Sequence, residues 1–198
     1  PRMFTLYRRK SGTQADRQAI ASHVDKAFIV QSLDANFNVR RTERFMVQIV
    51  EENIHPILIL TKSDLEFNRH KVEESLKHIR RQMPILFTSM LSPETIDPLR
   101  KFIKQGESIV FVGSSGVGKS SLINALCELT VISTSEISKS SGKGRHTSTR
   151  REMILMKDSG ILIDTPGVRE FGLASDNPEA LADIFDVSDF AESCRFDD

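Results

Sequence analysis

The chain has 198 residues, 27 Lys and Arg against 27 Asp and Glu, and a formal net charge of zero. Thirty-nine per cent of it is hydrophobic, enough for one core with appendages, and a zero balance argues against a uniformly basic nucleic-acid binder. No apolar run approaches membrane-spanning length, nothing at the start resembles a signal peptide, and two cysteines, Cys127 and Cys194, give no disulfide framework.

Residues 1–20 read as a tail or linker, with a basic cluster at Arg8-Arg9-Lys10. Ala27-Phe28-Ile29-Val30 reads as a strand, and the apolar spacing from Asn36 to Glu52 predicts an amphipathic helix carrying Arg40, Arg41 and Arg44. Both basic clusters are read as solvated faces. Ile57-Leu58-Ile59-Leu60 is a buried strand that runs straight into Thr61-Lys62-Ser63-Asp64. That tetrapeptide resembles the guanine-reading N/T-K-x-D motif of GTPases. A carboxylate at Asp64 can accept from both guanine N1–H and the exocyclic amine, a pattern adenine does not offer, while the stem of Lys62 lies along the base. A helix is expected from about Asn68 to Arg81, then a strand at Ile85-Leu86-Phe87. Ser89, just after it, resembles the loop that touches guanine O6. Pro93 to Lys104 reads as helical, with Pro98 as an interruption.

The apolar run Ile109-Val110-Phe111-Val112 leads into Gly113-Ser114-Ser115-Gly116-Val117-Gly118-Lys119-Ser120, a complete G-x-x-x-x-G-K-S phosphate loop, and a helix follows from Ser121. Strand, glycine-rich turn and helix start are the context this motif requires. The glycines let the backbone close around an anion, and the amides of the helix start point at it. Lys119 reaches the β- and γ-phosphates, and the Ser120 hydroxyl takes a Mg²⁺ position. A nucleoside triphosphate is the implied ligand, and Asp64 disfavours ATP. Cys127 on the same helix reads as a packed side chain.

From Ser138 to Arg151 the chain is rich in Ser, Gly, Lys and Arg, with Lys139, Lys143, Arg145, Arg150 and Arg151 and no acid from 139 to 151. Such a basic segment suits contact with nucleic-acid phosphates. Thr147, Ser148 and Thr149 are all candidates for the hydroxyl that completes Mg²⁺ coordination. Residues 151–156 and 160–163 read as two neighbouring strands, antiparallel if they form a hairpin. The second ends in Asp164-Thr165-Pro166-Gly167, a D-x-x-G pattern that sets a carboxylate near Mg²⁺, usually through water, and the Gly167 amide at the γ-phosphate. Val168 follows, where Ras-type GTPases carry the Gln that orients the attacking water.

Strands alternating with helices predict an α/β, doubly wound P-loop GTPase sheet covered on both faces. In ordinary GTPases the phosphate loop comes first and the guanine motif fourth; here the TKSD motif and Ser89 precede the loop, and D-T-P-G comes last. The order is that of a circular permutation.

Taken with Val24-Asp25, Arg40-Arg41-Thr42-Glu43-Arg44, TKSDL, GSSGVGKSSLINAL, GRHTST and DTPGVREFGL, the chain resembles the ribosome small-subunit-dependent GTPase A family (RsgA/YjeQ) over nearly its whole length. The resemblance implies a GTPase domain over 21–173, preceded by an N-terminal OB-fold and followed by a zinc-binding domain whose truncated start is 174–198. On that reading the chain is a fragment, and Cys194 is the first ligand of a Zn²⁺ held only in the full-length protein. It also implies hydrolysis of GTP to GDP with Mg²⁺, a role in maturing the small ribosomal subunit through contact with its rRNA, a cytoplasmic monomer and no membrane. His146 resembles the family's histidine at this place and is the candidate for positioning water. The alternative is an rRNA-binding assembly module that uses GTP as a ligand switch, with hydrolysis incidental.

Overall fold

Six runs rich in β-branched and aliphatic residues form one sheet: Lys26–Ser32 (β3), His55–Thr61 (β4), Ile85–Phe87 (β5), Ser108–Val112 (β6), Glu152–Leu155 (β7) and Ile161–Asp164 (β8). The computed structural model describes residues 4–9, 17–131, 152–156 and 159–165. Strand order is β5-β4-β3-β6-β8-β7. Every pairing is parallel except β7 with β8, the antiparallel hairpin that the sequence allows.

Because side chains alternate across a strand, the central strands supply both faces of the sheet with apolar groups. One face carries Ala27, Ile29, Leu58, Leu60, Val110 and Val112, packed with Phe45, Met46 and Ile49 of helix α1 (Val39–Glu51). The other carries Phe28, Val30, Ile57, Ile59, Ile109 and Phe111, covered by Leu122, Ile123 and Leu126 of α5 (Lys119–Val131). Phe28 and Phe111 lie in register on β3 and β6, and their rings meet edge to face at 5.1 Å between centroids. The expected α/β sheet with two covered faces is what forms.

The helices are shorter than their apolar patterns predict, each for a local reason. The Asn38 side chain accepts from Arg41 N at 3.0 Å, so α1 starts after that cap and not at Asn36. Asn53, left-handed at φ 57°, ends it. The segment expected to run from Asn68 to Arg81 divides into α2 (Arg69–Ser75) and α3 (Lys77–Arg80). There the Ser75 hydroxyl donates back to Val72 O at 2.7 Å, a local bond that competes with the helix ladder. Pro93 to Lys104 gives a 3₁₀ turn at Pro93–Thr95 and a short α4 at Asp97–Arg100. Pro98, with no N–H, fits only the first turn of a helix, so the helix restarts at that point. Beyond it the bonds tighten to three-residue spacing, Phe102 N to Leu99 O at 3.0 Å and Ile103 N to Arg100 O at 3.0 Å.

Part of the span read as a tail or linker is strand. Thr5–Arg9 (β1) and Arg17–Ser22 (β2) pair antiparallel. Leu6 and Ile20, 0% and 4% exposed, belong to the α1-side core. Gln48 of α1 donates its side-chain N–H to Tyr7 O, and Val24 N bonds Phe4 O at 3.0 Å. The basic residues around these two apolar anchors conceal the alternation in the sequence. The segments 138–151 and 174–198 lie outside the described residues, as do His146, Thr147, Ser148, Thr149, Gly167, Val168 and Cys194.

Candidate nucleotide site

From β3 the chain winds outward through β4 to β5, then returns to lay β6 on the other side of β3. Such a reversal opens a crevice at the carboxyl ends of the strands, where ligands of doubly wound sheets bind. The strand ends there deliver Asp34 after β3, Thr61 to Asp64 from β4, Ser89 after β5, the 113–120 loop after β6, and Asp164 from β8. Motifs far apart in sequence thus reach one edge of the sheet.

The 113–120 loop is shaped by close approach. A Cβ on Gly113 would lie 2.3 Å from Val30 O, a backbone atom of the central strand, and φ there is +149°. Only glycine fits. Gly118, at φ +98°, passes the Thr61 side chain. The Thr61 hydroxyl donates to Val117 O at 2.6 Å, with Gln31 O farther off at 3.3 Å. This bond ties the TKSD strand to the phosphate loop, 56 residues later.

Lys119 is buried inside the loop, its ammonium donating to Gly113 O and Ser114 O, each at 3.0 Å. Burial lowers the pKa of this ammonium, and the nearby Asp164 carboxylate opposes that fall. Asp164 is itself 5% exposed, and burial raises its pKa, against the Ser120 hydroxyl and the Lys119 charge. Ser120 Oγ donates to Asp164 Oδ2 at 2.9 Å. The other oxygen, Oδ1, is buried and has no hydrogen-bond partner among the described residues. A buried carboxylate oxygen without a donor is costly, and a hard cation is the partner that an all-oxygen pair of Ser120 and Asp164 suits. The residues present fit Mg²⁺. Thr165 Oγ1 donates to Phe111 O at 2.5 Å and holds the end of β8 against β6.

At the other end of the crevice, Ser89 Oγ donates to Asp64 Oδ1. Ser89 is fixed in turn, its N–H on Thr95 Oγ1 at 2.9 Å and its hydroxyl accepting from Leu91 N at 3.0 Å. Ser63 N bonds Thr88 O at 3.1 Å, which joins the β4 and β5 loops. Asp64 is exposed while Thr61 and Ser89 are buried. Lys62 ion-pairs with Asp34 at 2.7 Å, a residue that motif reading passes over. The signal lies in the strand register, not in any motif: Ser32 sits opposite Thr61, so the residues just beyond them meet. Ser114 is half-buried, whereas Ser115, Gly116, Ser120 and Ser121 face outward at the loop and helix start.

A doubly wound sheet whose phosphate-loop strand follows the TKSD strand in the chain, yet neighbours the same central strand, defines a circularly permuted P-loop GTPase fold. Two solved structures share it. The crystal structure of YjeQ from Thermotoga maritima aligns with a TM-score of 0.62 at 25% identity, over 85% of this chain and 56% of that one. The crystal structure of YloQ, described as a circularly permuted GTPase, aligns with a TM-score of 0.63 at 23% identity, over 96% and 65%. A sequence model of the RsgA GTPase family matches residues 1–174, and the chain belongs to that family. It is 66% identical, over its whole length, to 56% of the small ribosomal subunit biogenesis GTPase RsgA 1 of Bacteroides thetaiotaomicron. It is also 38% identical to 54% of the small ribosomal subunit biogenesis GTPase RsgA of Methanosarcina acetivorans. The chain thus spans about half the length of the curated relatives it matches.

Proposed function

We propose that this chain is the catalytic portion of a GTPase that hydrolyses GTP to GDP and phosphate and serves late assembly of the small ribosomal subunit. The observation that carries the reading is the convergence of three groups at one sheet edge: the Lys119 ammonium within its loop, the Ser120–Asp164 oxygen pair with an orphaned Oδ1, and the Ser89-braced Asp64. The subunit enters through the printed names of the relatives.

In this reading the loop amides from Ser114 to Ser120 and Lys119 hold the β- and γ-phosphates, and Lys119 exchanges its two carbonyl contacts for phosphate oxygens. Ser120 and Asp164 would hold Mg²⁺, which would neutralise charge on the phosphate oxygens. Asp64 accepts from the guanine N1–H and amine, and Thr61 keeps phosphate and base subsites in one frame. His146 orients water, Thr147, Ser148 or Thr149 would complete the metal shell, and Gly167 meets the γ-phosphate; Val168 can neither donate nor accept for that purpose. The basic stretch from Lys139 to Arg151 contacts rRNA, and that contact brings His146 to the site. The full-length protein on this reading is a cytoplasmic monomer with Zn²⁺ at Cys194. Among the described residues, no helix is long and apolar enough to cross a membrane.

Multiple-turnover hydrolysis of GTP and ATP, with and without small ribosomal subunits, tests the proposal in the full-length protein. Slow GTP turnover accelerated by the subunit is expected. Equal use of ATP, or turnover indifferent to the subunit, overturns it.

A further inference from the structure

The Lys62 ammonium is anchored away from its own loop. It donates to Asp34 Oδ2 at 2.7 Å, in the loop that follows the neighbouring strand β3. The anchor is rigid: Asp34 Oδ1 accepts from Ser32 Oγ at 2.8 Å and from Asn36 N at 2.9 Å. The hydrogen bond from Lys62 is the main reason the Asp34 carboxyl sits well below the usual carboxylate range. Lys62 also holds a left-handed backbone at φ 58°, rare for a residue with a side chain. Bonds on both sides impose it, from Ser63 N to Thr88 O and from Leu65 N to Lys62 O, both at 3.1 Å. Strain of this kind persists where the surroundings over-determine it, and it gathers at ligand sites.

Asp64 lies two residues on in the same turn, with one oxygen engaged by Ser89. A lysine stem is flexible and its ammonium a mobile point charge. Released from Asp34, that ammonium has Asp64 as the neighbouring carboxylate of its own turn, and pairing there would take up the acceptor that a guanine needs.

We infer that Asp34 is a positioning residue of the guanine subsite: it draws the Lys62 ammonium to the loop after β3, fixes the direction of the stem, and keeps Asp64 available to the base. The inference rests on the guanine reading of TKSD proposed above. It concerns the nucleotide's base and leaves the phosphates aside, so it bears on affinity and base choice, with little effect on kcat.

Titration of GDP and ADP into the wild type, Asp34→Asn, Asp34→Glu, Lys62→Met and the Asp34→Asn/Lys62→Met pair tests it, with melting temperature recorded alongside. Asn keeps the acceptor for Ser32 and Asn36 but loses the anion. The expected loss for Asp34→Asn is about 3–10-fold in GDP affinity, the range of a partly exposed, charge-assisted bond. The gap from wild type should narrow at high salt, which screens an ion pair and leaves packing untouched. Glu, longer but charged, should restore part of the affinity, and it replaces Asn as the informative variant if Asn folds poorly. In the Lys62→Met background the Asp34→Asn loss should vanish. Unchanged GDP affinity in Asp34→Asn, a Glu variant no better than Asn, or losses that simply add in the double variant each overturn the role of Asp34. A wild type that binds GDP no better than ADP sinks the guanine reading first, and this inference with it.

Discussion

Replacing Thr61 with Val tests whether the two halves of the site are mechanically joined. The hydroxyl donates at 2.6 Å to Val117 O, and Thr61 and Val117 are 7% and 2% exposed. Valine keeps the shape and deletes the donor, so the Val117 carbonyl is left inside without a partner. That omission costs about 1–3 kcal/mol. The second contact, to Gln31 O at 3.3 Å, adds little, because one proton serves the nearer acceptor. For a chain of this size the cost corresponds to a melting temperature lower by about 2–12 °C. Thr61→Ser keeps the donor and gives up a methyl group, worth about 0.8 kcal/mol. GDP affinity should fall about 3–10-fold in the Val variant, since a loosened loop must be ordered on binding, and much less in the Ser variant. Thermal melts and GDP titrations of the two variants decide the matter. A Val variant as stable as the wild type and as tight for GDP would show that the bond transmits nothing between the subsites.

Gly113→Ala should destabilise the chain by more than about 3 kcal/mol in denaturant melts, because its Cβ meets Val30 O at 2.3 Å and neither backbone can withdraw; a soluble variant of wild-type stability would mean the loop is not seated against β3. Asp64→Asn should weaken GDP by about 100-fold or more and favour xanthine nucleotides, as read by competition titration. Retained GDP affinity would remove Asp64 from the base subsite. Lys119→Ala and Ser120→Ala should each cut GTP turnover by about 100-fold or more while melting cooperatively, and chelation of Mg²⁺ should do the same to the wild type. Wild-type turnover in both variants would dismiss the phosphate-loop assignment.

What could be read directly was whatever has a fixed spacing. The glycines and Lys119, the strand-end carboxylates Asp64 and Asp164, and the order of TKSD before the loop are local signals, and the fold follows from their order. Contacts that depend on register were harder to read. Asp34 belongs to no motif, and it becomes visible only when Ser32 is seen opposite Thr61. In the sequence Thr61 is one letter of a base motif, whereas in the fold its hydroxyl reaches the phosphate loop. The β1–β2 hairpin escaped because Leu6 and Ile20, which belong to the α1-side core, stand amid charged neighbours in the sequence. Helix ends were overrun wherever a side chain, such as Ser75 or Asn38, competed for backbone bonds.

The central position of β3 has a consequence for how the chain is made. Its partner on one side, β4, begins at His55 and arrives soon after it in synthesis; its partner on the other side, β6, begins only at Ser108. While the intervening residues emerge, one edge of an apolar strand stays without its ladder, a ready template for stray pairing. Closing that edge joins segments about eighty residues apart (Lys26 to Ile109), a slow step among contacts of this kind. The vulnerable interval of biogenesis thus falls between β4 and β6. Slowing translation between β4 and β6 would lengthen the nascent chain's exposure to aggregation.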